Sequence, residues 1–332
     1  MEDRKKDHID LALESQTLVK DIDTRFFYEP LLSAHPENGI PETDFAGKTL
    51  HLPLWVSSMT GGTKLAGTIN RNLARACREF GMGMGLGSCR IILEDDTYLS
   101  DFDMRDIIGD EVPLFANLGI NQLEIMIRDK KLDALGELVA KLRADGLIIH
   151  VNPFQEWFQP EGDRLEKTAL ESLHRLVDVA NFPLIVKEVG QGMGYQSLRE
   201  LLAMPLAAIE FGAFGGTNFS KVELLRSDPA ELELFEPLSH VGHDAGQMVG
   251  MVNHILANEP GLVKCKQLIV SGGIKSFLDG YYLINKAKIP AIYGQASAFL
   301  KYARDDYASL RSFLELQVRG LQLAYAFLRV RD

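Results

Sequence analysis

A rhythm in the chain limits its folding options more than any single residue does. Eight times, a short apolar run ends in small or polar residues and gives way to a stretch with helical periodicity. The runs cover 52–57, 82–86, 114–117, 147–151, 184–187, 207–211, 268–271 and 291–293. Several are apolar throughout, as in Leu-Ile-Ile-His-Val and Leu-Ile-Val-Lys, which suits parallel strands covered on both faces. Helical patterns intervene at 65–80, 132–143, 170–180, 197–204, 247–257 and 277–285. An open doubly wound sheet gives the same alternation, but a count of eight favours closure. The predicted fold is therefore an α/β, (β/α)8 TIM barrel. No linker, repeat or composition shift divides the chain, so residues 1–332 read as one domain. Residues 1–50 precede the first strand as an extension expected to cover the active site, and 217–259 form a long insertion between strands 6 and 7.

Charge narrows the partners. Thirty-five Lys and Arg against forty-six Asp and Glu leave a formal charge of −11, wrong for a general nucleic-acid binder. An anionic small molecule stays possible, because a few cations focused in one pocket hold it whatever the global sign. No apolar run approaches the ~20 residues of a spanning helix, so no membrane partner is expected. Cys77, Cys89 and Cys265 stand far apart without Cys-x-x-Cys spacing, which fits a reducing, cytoplasmic location.

Barrel chemistry sits at the carboxyl ends of the strands. The glycine turns Gly215-Gly216-Thr217 and Ser271-Gly272-Gly273, with a helix start after strand 8, lie where barrels hold a phosphate. Each turn alone is also an ordinary tight turn. His150 and Asn152 share one strand face and both reach the mouth, followed by Gln155 and Glu156. Glu156 is a candidate for the single protein oxygen that Mg²⁺ often takes beside phosphates, or a plain surface carboxylate. Lys187 ends an apolar strand, where a cation is expensive without a negative partner. Neighbours in a strand face opposite ways, so Glu188 is a poor candidate for that partner, and an anionic ligand or the electron-rich edge of a cofactor is a better one. Arg4, Lys5 and His8 read by default as a solvated end. His240, His243 and Asp244 read equally as a metal set or as a helix start capped by Asp244.

Together these motifs resemble the type 2, flavin-dependent isopentenyl diphosphate isomerases. The likeness runs from Arg4-Lys5-x-x-His8 through Ser58-Met59-Thr60-Gly61-Gly62, Gly87-Ser88-Cys89-Arg90 and Ala116-Asn117-Leu118-Gly119. It continues through His150-Val151-Asn152-Pro153-Phe154-Gln155-Glu156, Gln159-Pro160-Glu161-Gly162-Asp163, Lys187-Glu188-Val189-Gly190 and the two glycine turns. The His-x-Asn-x-x-Gln-Glu segment with Gln-Pro-Glu-Gly-Asp is the most specific part. The resemblance implies isomerisation of isopentenyl diphosphate to dimethylallyl diphosphate with reduced FMN and Mg²⁺, NADPH serving to reduce the flavin. It assigns Met59, Thr60, Gly61, Gly62, Ser88, Asn117, Lys187, Thr217, Gly272, Gly273, Ala296 and Ser297 to the flavin. It assigns Arg4, Lys5, His8, Ser88, Arg90, Asn117, His150, Asn152 and Gln155 to the prenyl diphosphate, Glu156 to the metal, and Gln155 and Lys187 to catalysis. A homo-oligomer, tetramer or octamer, is also implied.

Some positions depart from the family pattern: Cys89 stands for a common glutamine, Asn218-Phe219 for Ser-Trp, and His243-Asp244 for a Trp-Gly turn. Lys275-Ser276-Phe277 and the segment 288–295 also differ from the usual continuation after strand 7. A flavin-dependent 2-hydroxy-acid dehydrogenase shares the glycine turns and a strand lysine. It needs a histidine base and an arginine, however, and after strand 6 this chain offers only Gly215-Gly216-Thr217-Asn218-Phe219. The remaining alternative is a barrel that binds phosphate or flavin without turnover.

Overall fold

The computed structural model describes residues 2–36, 39–58, 61–93 and 95–331, with the side chains of Glu2 and Asp3 left aside. Each of the eight predicted runs overlaps one barrel strand: β1 (Leu54–Val56), β2 (Gly83–Gly85), β3 (Leu114–Gly119), β4 (Gly146–Val151), β5 (Leu184–Glu188), β6 (Ala208–Glu210), β7 (Leu268–Ser271) and β8 (Ala291–Gln295). All pairings are parallel, in the order β7-β8-β1-β2-β3-β4-β5-β6. Pairing of Leu268 with Ile209 and of Ile269 with Glu210 closes the ring. The strands are buried on both sides because helices pack outside while side chains fill the lumen, so they read as continuous apolar runs.

The lumen is packed rather than open. Trp55, Phe115, Ile148, Ile185, Ile269 and Ile292 form its lower layer, and Phe45 and Leu50 of a hairpin (Thr43–Phe45, Lys48–Leu50) join it from below. The Trp55 ring lies 5.4 Å from Phe45 and 5.9 Å from Phe115 between centroids. It fits because Gly83 faces it, where a Cβ would come within 2.4 Å of the indole. Lys48 anchors the hairpin at the amino ends of the strands through an ion pair with Asp145 at 2.6 Å.

Outside, the six predicted helices appear at Lys64–Phe80, Asp133–Lys141, Ala169–Val179, Tyr195–Leu202, Ala245–Asn258 and Phe277–Lys286. Thr63 and the left-handed Gly81 (φ 65°) cap the first of them. The insertion holds the helices Phe219–Arg226 and Pro229–Phe235, and a long helix, Tyr307–Phe327, follows the barrel. The extension is tied to the barrel by an antiparallel pair, Phe26–Tyr28 with Leu328–Val330. Ahead of it, residues 4–24, including helix Glu2–Leu11 from Arg4 on, are exposed. Among the described residues no helix is long and apolar enough to cross a membrane.

Candidate active site

The carboxyl ends of β3 and β4 bring the polar motif together. Register sets Gly119 beside His150 and His150 beside Lys187. Asn117 is buried and donates from Nδ2 to the Leu86 carbonyl at 2.9 Å, which leaves Oδ1 to accept from His150 Nδ1 at 2.9 Å. That contact fixes the tautomer: Nδ1 carries the proton and Nε2 keeps its lone pair. Burial, aided by the positive charge of Lys187, pushes the imidazole down to about 3, so the ring is neutral.

One residue beyond β4, Asn152 starts the short helix Pro153–Phe158, with Pro153 in the position where a missing N–H costs nothing. Asn152 Nδ2 donates to Gln155 Oε1 at 2.9 Å and to Glu156 Oε1 at 3.1 Å. Gln155 Nε2 donates to Glu223 Oε1 at 3.3 Å, and Arg226 holds the other oxygen of Glu223 at 2.5 Å. Glu156 Oε2 accepts the Asp163 N–H at 3.1 Å, and the Asp163 carboxylate pairs with Arg90 at 3.1 Å. The two sequence motifs, His150 to Glu156 and Gln159 to Asp163, thus form one hydrogen-bonded unit. Glu223 belongs to it although the sequence reading did not single it out. It lies on the insertion, buried, with no local pattern to betray it.

On the opposite side of the mouth, a cavity of about 370 Å³ is lined by Lys187, Thr217, Gly272, Gly273, Ala296 and Ser297. The two glycine turns abut: a Cβ on Gly215 would lie 3.2 Å from Gly273 Cα, and one on Gly272 (φ 88°) 2.1 Å from the Ala213 carbonyl oxygen. No side chain fits between them, so the turns offer bare backbone. Lys275, in the departing segment after strand 7, and Lys301, on the helix after strand 8, reach the same cavity. Ser57 Oγ and Ser58 Oγ line it without hydrogen-bond partners. A glycine cradle with two lysines, next to orphaned hydroxyls and a buried ammonium, fits a flavin mononucleotide, whose phosphate is anionic and whose ring carries a polar edge.

Lys187 does not pair with the Glu188 carboxylate: its Nζ donates to the Glu188 backbone carbonyl at 2.9 Å. The carboxylate turns the other way and accepts from the N–H groups of Gly190, Gln191 and Gly192 at 2.7, 2.6 and 2.8 Å. Burial pushes this carboxyl up, against the downward pull of the three N–H groups and Lys187. The loop it folds packs on the first glycine turn, since a Cβ at Gly190 would stand 2.3 Å from the Thr217 carbonyl oxygen.

Other assigned residues lie elsewhere. Ser88 and Arg90 are exposed, and Arg90 meets the Asp163 end of the polar unit. Gly61 and Gly62 lie in the loop after β1, under Phe102 and Ile91 respectively, while Met59 and Thr60 fall outside the described residues. The structure does not bring Arg4, Lys5 and His8 to the mouth. They are exposed on their helix and make no hydrogen bond or ion pair among the described residues. Cys89 points into the core, where burial pushes its thiol up to about 12. Asp244 caps helix Ala245–Asn258 in a capping box with Gln247, and Asn218 caps Phe219–Arg226. Among the described residues no three His, Cys, Asp or Glu side chains are placed to hold a metal.

These features define a (β/α)8-barrel enzyme whose mouth joins an anion cradle to an amide and carboxylate cluster. The fold is similar to that of a mandelate oxidase variant with a monooxide FMN adduct, at 16% identity and TM-score 0.55 over 92% of this chain and 88% of that one. It is also similar to a flavocytochrome b2 variant with benzoylformate, at 14% identity and TM-score 0.63 over 92% and 76%. No protein-family model matches the chain. Among curated proteins, the isopentenyl-diphosphate delta-isomerase of Rickettsia felis is 33% identical over 326 residues, 97% of this chain and 91% of its own length. That of Pelodictyon phaeoclathratiforme is 34% identical over 291 residues, 83% and 80% respectively. The chain belongs to the isopentenyl-diphosphate delta-isomerase family.

Proposed function

We propose that the mouth isomerises isopentenyl diphosphate to dimethylallyl diphosphate with reduced FMN and Mg²⁺. The observation that carries this reading is the meeting, at one barrel end, of the Asn152-Gln155-Glu156 cluster with the glycine cradle holding Lys187. Moving the double bond requires a proton added at one carbon and another removed two carbons away, through a cation-like state that ordinary side chains stabilise poorly. A reduced flavin supplies electron density and an exchangeable proton for that purpose.

The chain's own residues do the rest. Gly272, Gly273, Thr217, Ala296 and Ser297 bind the cofactor phosphate end, with Met59, Thr60, Gly61, Gly62, Ser88 and Asn117 completing the flavin site, and Lys187 holds the ring's polar edge. Asn117 and His150 form one wall of the diphosphate site with Asn152, Ser88 and Arg90. Glu156 would offer one oxygen to Mg²⁺, which would neutralise the substrate phosphates, with waters as its other ligands. Gln155, braced between Asn152 and Glu223, orients the reacting carbons. Arg4, Lys5 and His8 close over the bound diphosphate, the exposed helix moving to the mouth, where Arg4 offers bidentate donors. NADPH would serve as the reductant of a bound flavin. The protein acts as a homo-oligomer, a tetramer or octamer, in the cytoplasm. Ile9, Leu13, Val19 and Leu31, all more than 70% exposed, give the extension an apolar surface suited to a second copy.

The hydroxy-acid reading lacks its base, because the residues after β6 include neither histidine nor arginine up to Phe219. The test is to load the purified protein with FMN, reduce it with NADPH under anaerobic conditions, and add Mg²⁺ and isopentenyl diphosphate. Appearance of dimethylallyl diphosphate is expected. Yellow protein that leaves the substrate unchanged leaves only the non-catalytic alternative.

A further inference from the structure

Glu210, on β6, is completely buried, and neither carboxylate oxygen has a hydrogen-bond partner. Register sets it beside Lys187, which in turn lies beside His150, so three titratable side chains cross the barrel in one layer. Lys187 and Glu210 line the same cavity. The ammonium spends one of its three protons on the Glu188 carbonyl and forms no ion pair with Glu210. Below this layer the lumen is apolar, filled by Trp55, Phe115, Ile148 and Ile185. A buried carboxylate without a partner in such surroundings costs several kcal/mol, roughly, unless a cation meets it. The cation with unused donors in this layer sits one strand away, about 4.8 Å between backbones, on a four-carbon stem with free torsions.

We propose that Glu210 is the counter-ion of Lys187 and that, through this pair, it sets how strongly the cavity favours the reduced, anionic form of a bound isoalloxazine. The second half rests on the flavin reading above, whereas the pairing does not. An unopposed ammonium at the ring's polar edge stabilises added negative charge, and a carboxylate sharing that ammonium cancels part of the effect, in a low-dielectric lumen where neither is screened. Glu210 is a positioning residue: it acts on the ring through Lys187. The signal was legible in the run Ala-Ala-Ile-Glu-Phe, since a charge inside an apolar strand is the same anomaly that marked Lys187.

The experiment compares the FMN-loaded parent with Glu210→Gln, Lys187→Met and the double variant by redox titration at neutral pH. Glu210→Gln frees the ammonium and shifts the preference toward reduced flavin about tenfold, or roughly 30 mV for a two-electron couple. In the Lys187→Met background the same change shifts it less than twofold. A potential that Glu210→Gln leaves within twofold of the parent, or moves equally in both backgrounds, overturns the proposal. An infrared spectrum of the same proteins reads the pair without relying on flavin. Lys187→Met forces the stranded carboxylate to take up a proton, so a carboxylic-acid C=O band appears that is absent from the parent and the double variant. A band already present in the parent, or missing from Lys187→Met, overturns the pairing even if Glu210→Gln does not fold. Failure of the parent to bind FMN sinks the flavin reading and leaves the pairing to the infrared result.

Discussion

Acid tests the His150–Asn117 contact without altering a residue. In the folded chain, burial and then the Lys187 charge hold the imidazole down at about 3, while in the unfolded chain it titrates near ~6.5. Between those values the unfolded chain takes up a proton that the folded chain refuses. Stability from this group is therefore complete above about 6.5, falls as the pH drops, and levels off near 3. At 1.36 kcal/mol per unit, the whole window has a ceiling of roughly 5 kcal/mol. Part of the ring edge still meets water at the mouth, which relieves the desolvation, so about half the ceiling is the working figure. Between pH 6.5 and 4.5 that amounts to ~1.4 kcal/mol. Urea unfolding of the parent and of His150→Gln at several pH values measures it. Carboxylates titrate in both proteins, so the informative quantity is the gap between the two stability curves, which should narrow by that amount as the parent loses its extra term. Parallel curves would refute a neutral, desolvated His150.

The remaining predictions concern the mouth and its supports. Gln155→Ala lowers kcat about 10- to 100-fold with a much smaller change in KM, because it removes orientation rather than binding, and steady-state assay under reducing conditions checks the split. Glu156→Gln weakens the dependence of rate on Mg²⁺, so a magnesium titration identical to that of the parent counts against its metal role. Gly272→Ala meets both a positive φ and the Ala213 carbonyl oxygen. It should cost about 2–3 kcal/mol and abolish flavin retention on gel filtration. Glu188→Ala strands three N–H groups and should cost about 2–4 kcal/mol. Thermal melts read this loss, and weakened FMN binding should accompany it through the loop that packs on Thr217.

Much of the barrel was legible because a strand covered on both faces has nothing polar to interrupt it until its end, and those ends are where chemistry collects. Lys187 and His150 stood out for that reason. Helix Ile120–Arg128 escaped notice because it follows β3 without a break, so no turn separated the two periods. Glu223 was invisible for a different reason: its partner Gln155 is 68 residues away, and no local pattern encodes a contact made only by the packing of one helix on another. Asp244 was ambiguous because the residue types that cap helices overlap those that bind metals, and only the hydrogen bond to Gln247 separates the two uses.

The segment between β6 and β7 has an evolutionary cost hidden in its length. Replacing its helices Phe219–Arg226 and Pro229–Phe235 by a shorter connection would spare every barrel strand and both glycine turns, yet it would remove the carboxylate brace on which Gln155 leans, together with the Arg226 that steadies that brace. On the proposed function, a chain trimmed there would keep the glycine cradle and lose the carboxylate that braces Gln155.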